Sequence, residues 1–205
     1  MPSAPTDPAF VTGLVLGAGG SRRLGSPKQV LPFGGGTLLG HVVGVARACR
    51  FDQLLVAIGA AAAEVRERVD LAGAEVVVNE AYGEGCASSI AAALGAVDPR
   101  CGVLVLMLGD QPGVAAGTVA ALLTGRGDAD LAVCRYDDGR GHPIAVGRAA
   151  FGDLAALHGD KGVWRLLDAG GDAVAEVRVP GPVPIDVDTR GDYAAVLAAS
   201  GAGAR

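Results

Sequence analysis

Arg23 and Lys28 stand five residues apart at the end of a glycine-bearing segment, Val15-Leu16-Gly17-Ala18-Gly19-Gly20-Ser21-Arg22-Arg23-Leu24-Gly25-Ser26-Pro27-Lys28. Glycines let backbone N–H groups approach phosphate oxygens with no Cβ in the way, and successive amides in a turn form an anion-binding nest. Two cations beside such a nest neutralise more than one phosphate, which points to a nucleoside triphosphate. The spacing excludes two familiar loops. A Walker loop ends in Gly-Lys-Ser/Thr, whereas Ser26-Pro27 follow Gly25 here. The dinucleotide fingerprint needs a small residue at its third glycine, and Arg22 occupies that place.

Further chemistry-bearing residues lie downstream. Asp110, in Leu108-Gly109-Asp110-Gln111-Pro112, follows the apolar run Val103–Leu108. Such a run reads as a strand buried on both faces, with Asp110 presented at its end. Mg²⁺ takes one or two carboxylates together with water and substrate phosphates, so Asp110 suits it; the alternative is a cap for a helix starting near Val114. In Ile185-Asp186-Val187-Asp188-Thr189 the two carboxylates share one face of an extended chain. Either can reach the metal, and Asp188 also fits as the cap of the last helix. The loop Tyr82-Gly83-Glu84-Gly85-Cys86-Ala87-Ser88-Ser89 offers amides and hydroxyls to a nucleobase or phosphate, with Ser88 equally a helix cap. Gly141-His142-Pro143 and Asp160-Lys161-Gly162 read as turns from which His142 and Lys161 can face a second, anionic substrate. No Ser–His–Asp arrangement emerges, and phosphoryl transfer needs none.

The elements that must position these groups alternate along the chain. Strands are expected at Phe10–Leu16, Leu54–Ile58, Glu75–Val78, Val103–Leu108, Leu131–Cys134 and Ala173–Val179. Pro143–Val146 is expected to return as a hairpin partner after the Asp137-Asp138-Gly139 turn. Helices are expected at Thr37–Cys49 with Thr37 as cap, Glu64–Leu71, Ser88–Val97, Val114–Leu123, Phe151–His158, Val163–Ala169 and Asp192–Ala199. This alternation predicts an α/β fold with a mostly parallel sheet covered on both sides, whose ligands bind at the carboxyl ends of the strands. The 205 residues suit one domain over 10–199, after a proline-bearing lead-in over 1–9 and before a flexible tail over 200–205.

Composition narrows the function classes. A net charge of −5 argues against a nonspecific nucleic-acid binder, while the cluster Arg22, Arg23 and Lys28 suits a small anion. Cys49, Cys86, Cys101 and Cys134 form no C-x-x-C pair, and His41, His142 and His158 have no metal-ligand spacing, so reduced thiols are expected. No apolar run reaches membrane-spanning length and no leader pattern precedes the first strand, so the cytoplasm is the expected location.

The pattern Leu-x-x-Gly-x-x-x-Arg-x-Gly-x-x-Lys fits through Leu16, Gly19, Arg23, Gly25 and Lys28. Leu31-Pro32, Thr37-Leu38-Leu39, His41, Gly85 with Ser88-Ser89, Gly109-Asp110-Gln111-Pro112, Gly141-His142-Pro143, Gly159-Asp160 with Gly162, and Asp186-Val187-Asp188-Thr189 follow in order. From Val11 to about Leu197 the chain resembles the molybdenum cofactor cytidylyltransferases and their MobA-like NTP transferase relatives. That resemblance implies a three-layer α/β/α Rossmann-like nucleotidyltransferase fold. It also implies Mg²⁺-dependent transfer of CMP from CTP to the terminal phosphate of molybdopterin, with release of pyrophosphate. By the matched motifs Arg23, Lys28 and Asp110 are catalytic; Leu16, Gly17, Ala18, Gly19, Gly20, Ser21 and Ser88 contact the nucleotide; and Asp110 with Asp188 bind Mg²⁺. His142, Asp160 and Lys161 fall to the acceptor, and a molybdoenzyme or its chaperone to transient contact. Ala18 leans toward CTP over GTP. The alternatives are guanylyl transfer, transfer to another phosphorylated small molecule, a non-catalytic cofactor-binding chaperone, and an NAD(P)H- or flavin-dependent oxidoreductase.

Overall fold

The computed structural model describes residues 9–21 and 23–201; residues 1–8 of the expected lead-in, Arg22 and residues 202–205 of the expected tail lie outside them. Seven strands form one sheet: β1 (Phe10–Gly17), β4 (Gln53–Ile58), β5 (Glu75–Val78), β6 (Cys101–Leu108), β7 (Leu131–Arg135), β8 (Arg140–Gly147) and β9 (Val174–Arg178). Their order is β5-β4-β1-β6-β8-β7-β9. Every neighbouring pair is parallel except those made by β8, which runs against both β6 and β7. The hairpin expected after Cys134 is β7–β8, with Arg135 opposite Arg140.

Alternation along β6 builds two cores. Val103, Val105 and Met107 pack with α1 (Leu38–Ala48), α2 (Ala62–Arg68) and α4 (Ala116–Gly125). Leu104 and Leu106 face the other way, against α3 (Cys86–Leu94), α5 (Phe151–Ala155) and α6 (Gly162–Gly170). Each of these strand leucines is wholly buried and contributes about 1.5–3 kcal/mol of hydrophobic stabilisation. Helices thus cover both faces of the sheet, which is why its central strand is apolar without interruption. Among the described residues, no helix is long and apolar enough to cross a membrane.

A third, smaller cluster lies at the carboxyl end of the sheet. Leu24, Phe33, Leu38, Val187 and Val196 meet there, Phe33 coming from the two-residue strand β2 (Pro32–Phe33), which pairs with β3 (Gly36–Thr37), and Val196 from α7 (Arg190–Ala199). This packing fixes Leu24 beside Arg23, and Val187 between Asp186 and Asp188. Burial of two apolar side chains therefore places three charged ones.

Helix ends differ from the sequence expectation where tertiary partners decide them. α3 begins at Cys86, two residues early, because the Asp160 carboxylate accepts from the Cys86 amide at 3.0 Å. Ser88 thus lies inside the helix rather than at its cap. α7 is capped by Thr189, whose hydroxyl accepts from the Asp192 amide while the Asp192 carboxylate accepts from the Thr189 amide. This reciprocal box releases Asp188 from the capping role and leaves it for the cavity. The helix after Asp110 starts at Ala116 with no side-chain cap, so Asp110 caps nothing either.

Candidate functional site

β1 and β6 are neighbours, and the chain continues from β1 to β4 on one side and from β6 to β7 on the other, so the strand order diverges toward the two edges between them. A crevice forms at such a point. It is a cavity of about 600 Å³, bordered by residues 16–21, Arg23, Lys28, Asp110, Asp160 and Asp188. The glycine segment supplies one wall, and the residues after β6 supply the floor.

Gly109 permits this approach. A Cβ there would stand 2.8 Å from Leu39 Cδ1 and 3.0 Å from the Leu16 carbonyl oxygen. The backbone oxygen cannot yield, so Gly109→Ala is expected to displace Asp110 and to lower turnover by up to ~100-fold. Steady-state kinetics alongside a thermal melt checks this; native turnover would show that the junction tolerates a methyl group. Gly85, at φ 101°, plays a similar part on the opposite wall, where a Cβ would fall 2.7 Å from the Gly159 carbonyl carbon.

At the centre, the Lys28 ammonium bridges two carboxylates. It donates to Asp110 Oδ2 in a short contact and to Asp188 Oδ1 at 2.8 Å, while Arg23 Nη2 donates to Asp188 Oδ2 at 2.7 Å. The Val187 amide donates to the Asp110 carbonyl at 3.0 Å, which brings the two acidic segments together. Burial alone lowers the Lys28 pKa, but Asp110 and then Asp188 outweigh it, and the group is held above its ordinary value, charged at every working pH. The hydrogen bond from Lys28 holds Asp188 below the usual carboxylate range, with Arg23 adding to the effect. Asp186 borders the same cavity, and burial, then repulsion from Asp110, pushes its carboxyl up to about 6.

Among the described residues bordering the cavity, four carboxylates (Asp110, Asp160, Asp186 and Asp188) face two cations (Arg23 and Lys28). The charge of these described side chains favours a polyanion that brings positive charge with it. Asp110 and Asp188 already converge on one cationic atom, as they would on a divalent ion whose remaining positions are filled by water and phosphate. No group of three or more His, Cys, Asp or Glu among the described residues is arranged to hold a metal unaided. The donor set therefore fits a metal that arrives with a phosphorylated ligand. Cys86 also borders the cavity, but burial, then Asp160 and Asp110, pushes its thiol up to about 11, so it offers no thiolate at neutral pH.

Three residues singled out from the sequence do not border the cavity. The Ser88 hydroxyl is occupied by its own loop, donating toward the carbonyls of Gly85 and Ala81, and Ser89 takes its place at the wall. Lys161 is exposed at the start of α6, outside the lining. His142 is 7% exposed and packs edge-on against Trp164, with ring centroids 5.5 Å apart. Its ring is thus turned against Trp164 and does not border the cavity. Burial lowers its pKa from 6.5 to about 4. Its contribution to stability is accordingly complete above pH 6.5 and is lost as pH falls toward 4, because the unfolded chain takes up the proton first. His142→Gln is expected to flatten the melting temperature across that window; an unchanged slope would assign the acid sensitivity to other groups.

Other contributors escaped sequence reasoning. Gln29 is buried behind the glycine segment and donates to the carbonyls of Gly17 and Gly19, each at 2.8 Å. The Asn79 carboxamide donates to both Ser88 and Ser89, while Tyr82, from the loop already offered to the nucleotide, borders the cavity at 41% exposure. Gln29 immediately follows Lys28, and that adjacency was its only sequence signal.

A mostly parallel sheet flanked by helices, with a glycine segment and an acidic pair facing one crevice, defines a protein of the nucleotidyltransferase class. Residues 13–175 match the MobA-like NTP transferase domain, and the chain belongs to that family. Its structure is similar to the crystal structure of the Mycobacterium tuberculosis Rv0371c homologue from Mycobacterium sp. strain JC1, at 53% identity and a TM-score of 0.87, covering 93% of this chain and 96% of that one. Rv0371c from M. tuberculosis H37Rv, solved as a complex with manganese, is 46% identical with a TM-score of 0.83, over 92% and 98% of the two chains. Nicotine blue oxidoreductase of Paenarthrobacter nicotinovorans is 32% identical over 69% of this chain and 72% of its own length. Bifunctional GlmU proteins match too, but over only 27% and 40% of their length in those from Cellvibrio japonicus and Paraburkholderia xenovorans.

Proposed function

We propose that this protein transfers CMP from CTP to the terminal phosphate of molybdopterin in a divalent-metal-dependent reaction that releases pyrophosphate. The observation that carries the reading is the Lys28 ammonium bridging Asp110 and Asp188 opposite a glycine segment with unpartnered amides. Among the described residues, the amides of Gly19, Gly20 and Ser21 donate to no partner, so they are free to receive phosphate oxygens. Lys28 and Arg23 stabilise the charge that builds on the α-phosphoryl group as an acceptor phosphate oxygen attacks the α-phosphorus and the bond to the pyrophosphate oxygen breaks. Asp110 and Asp188 would hold Mg²⁺, which supplies charge neutralisation across the triphosphate. The manganese complex of Rv0371c supports use of a divalent ion. Asp160, at the cavity edge, and Lys161 beside it fall on the acceptor side of this reading. Ala18 in Leu16-Gly17-Ala18-Gly19, together with the order of the later motifs, supports cytosine and a pterin phosphate.

Guanylyl transfer, or transfer to another phosphorylated small molecule, would use the same residues. One observation favours a different chemistry: the match to nicotine blue oxidoreductase suggests an oxidoreductase reaction. Pyrophosphate release from CTP or GTP with molybdopterin and Mg²⁺, run beside NADH oxidation without triphosphate, separates these readings. Release that requires CTP and acceptor together supports the proposal, while NADH oxidation without release would replace it.

A further inference from the structure

We infer that Gln29 is a positioning residue for triphosphate recognition, bracing the glycine segment in the conformation that leaves its amides open to phosphate. The inference rests on the reading that the cavity takes a nucleoside triphosphate. Gln29 is 3% exposed and lies in the single helical turn Lys28–Val30. Both hydrogens of its carboxamide nitrogen are used, one on the Gly17 carbonyl and one on the Gly19 carbonyl, each at 2.8 Å. The carbonyl of Gly19 and the amide of Gly20 belong to one planar trans peptide, so they point in opposite directions. Tying the first to Gln29 turns the second away from it and leaves it unpartnered at the cavity edge.

Glycines make this brace necessary. Gly19 and Gly20 can rotate their peptide planes at little cost, and a flipped plane would present a carbonyl oxygen to the phosphates in place of a hydrogen. The next residue is fixed from a second direction: Ser21 adopts φ 49°, and its hydroxyl accepts the Lys28 amide at 2.9 Å. The Gln29 carboxamide oxygen stands 3.5 Å from that hydroxyl. A single turn of chain therefore delivers a cation, Lys28, to the phosphates and a brace, Gln29, to the amides that share them.

The test uses the full chain and compares ligands that differ only in their phosphates. Gln29→Met keeps side-chain volume and removes both donors. Titrated with CTP and with CMP, each with Mg²⁺, it is expected to lose at least about tenfold in affinity for CTP and less than about threefold for CMP. Gln29→His, which keeps one donor, is expected to fall between Gln29→Met and the native chain. Equal losses for CTP and CMP, or native affinity for both, would overturn the brace. If the native chain itself binds no CTP with Mg²⁺, the triphosphate reading falls and the inference with it. A measurement on the native protein covers the case of a variant that does not fold: the Gln29 carboxamide protons should exchange slowly with solvent, and the amide resonances of residues 19–21 should shift on addition of CTP with Mg²⁺. Rapid exchange at Gln29 would also overturn it.

Discussion

Replacing Lys28 by alanine is expected to lower turnover by at least ~100-fold, the loss typical when a preorganised charge is taken from a developing transition state. Lys28 stands between Asp110 and Asp188 with 13% of its side chain exposed, so little water competes for its charge. Its removal leaves one described cation, Arg23, among four carboxylates at the cavity. That remaining cation is a weak substitute, because 66% of the Arg23 side chain is exposed and its field is screened by solvent. Lys28→Arg should recover only part of the loss: a planar guanidinium pairs with one carboxylate edge more readily than it bridges two segments. Steady-state pyrophosphate release checks both variants. Native rates in Lys28→Ala would remove the bridging ammonium from the chemistry.

The second large effect is expected at Asp110. Asp110→Asn keeps the shape and an oxygen that can still accept from Lys28, so the fold should persist by circular dichroism. One carboxylate of the proposed metal pair is gone, and the gain in nucleotide affinity on adding Mg²⁺ should shrink by at least ~10-fold. Without Mg²⁺, triphosphate should bind the variant no more weakly than the native chain, because a repelling charge has been removed. That opposite response with and without metal separates ligation from general damage. Undiminished metal dependence in Asp110→Asn would place the metal elsewhere.

Much of this site is legible in the sequence because its groups sit on loops that follow strongly patterned strands. Six apolar residues at Val103–Leu108 mark a central strand, and a central strand puts the next carboxylate in the crevice. The turn Asp137-Asp138-Gly139 likewise announces the β7–β8 hairpin. What sequence reasoning missed depends on contacts across the chain. Asp160 decides where α3 begins from 74 residues away, and no local pattern carries that information. Asp188 reads equally as a metal ligand and as a helix cap until Thr189 and Asp192 are seen to cap one another. Gln29 looks like a polar residue in a loop, and only the path of the glycine segment over it shows where its two hydrogens go. His142 reads from its neighbours Gly141 and Pro143 as a turn residue able to face a substrate, and its burial against Trp164 is set by packing that no local pattern carries. The β2–β3 hairpin has no alternating pattern to find, since each of its strands is two residues long.

The central claim is that the cavity recognises a triphosphate together with a divalent cation. Calorimetric titration of the native chain with CTP, GTP, ATP and NADH, each with and without Mg²⁺, tests it most directly. The account predicts binding of CTP that depends on Mg²⁺ and exceeds that of the other nucleotides. Binding of NADH with no triphosphate bound under either condition would contradict it.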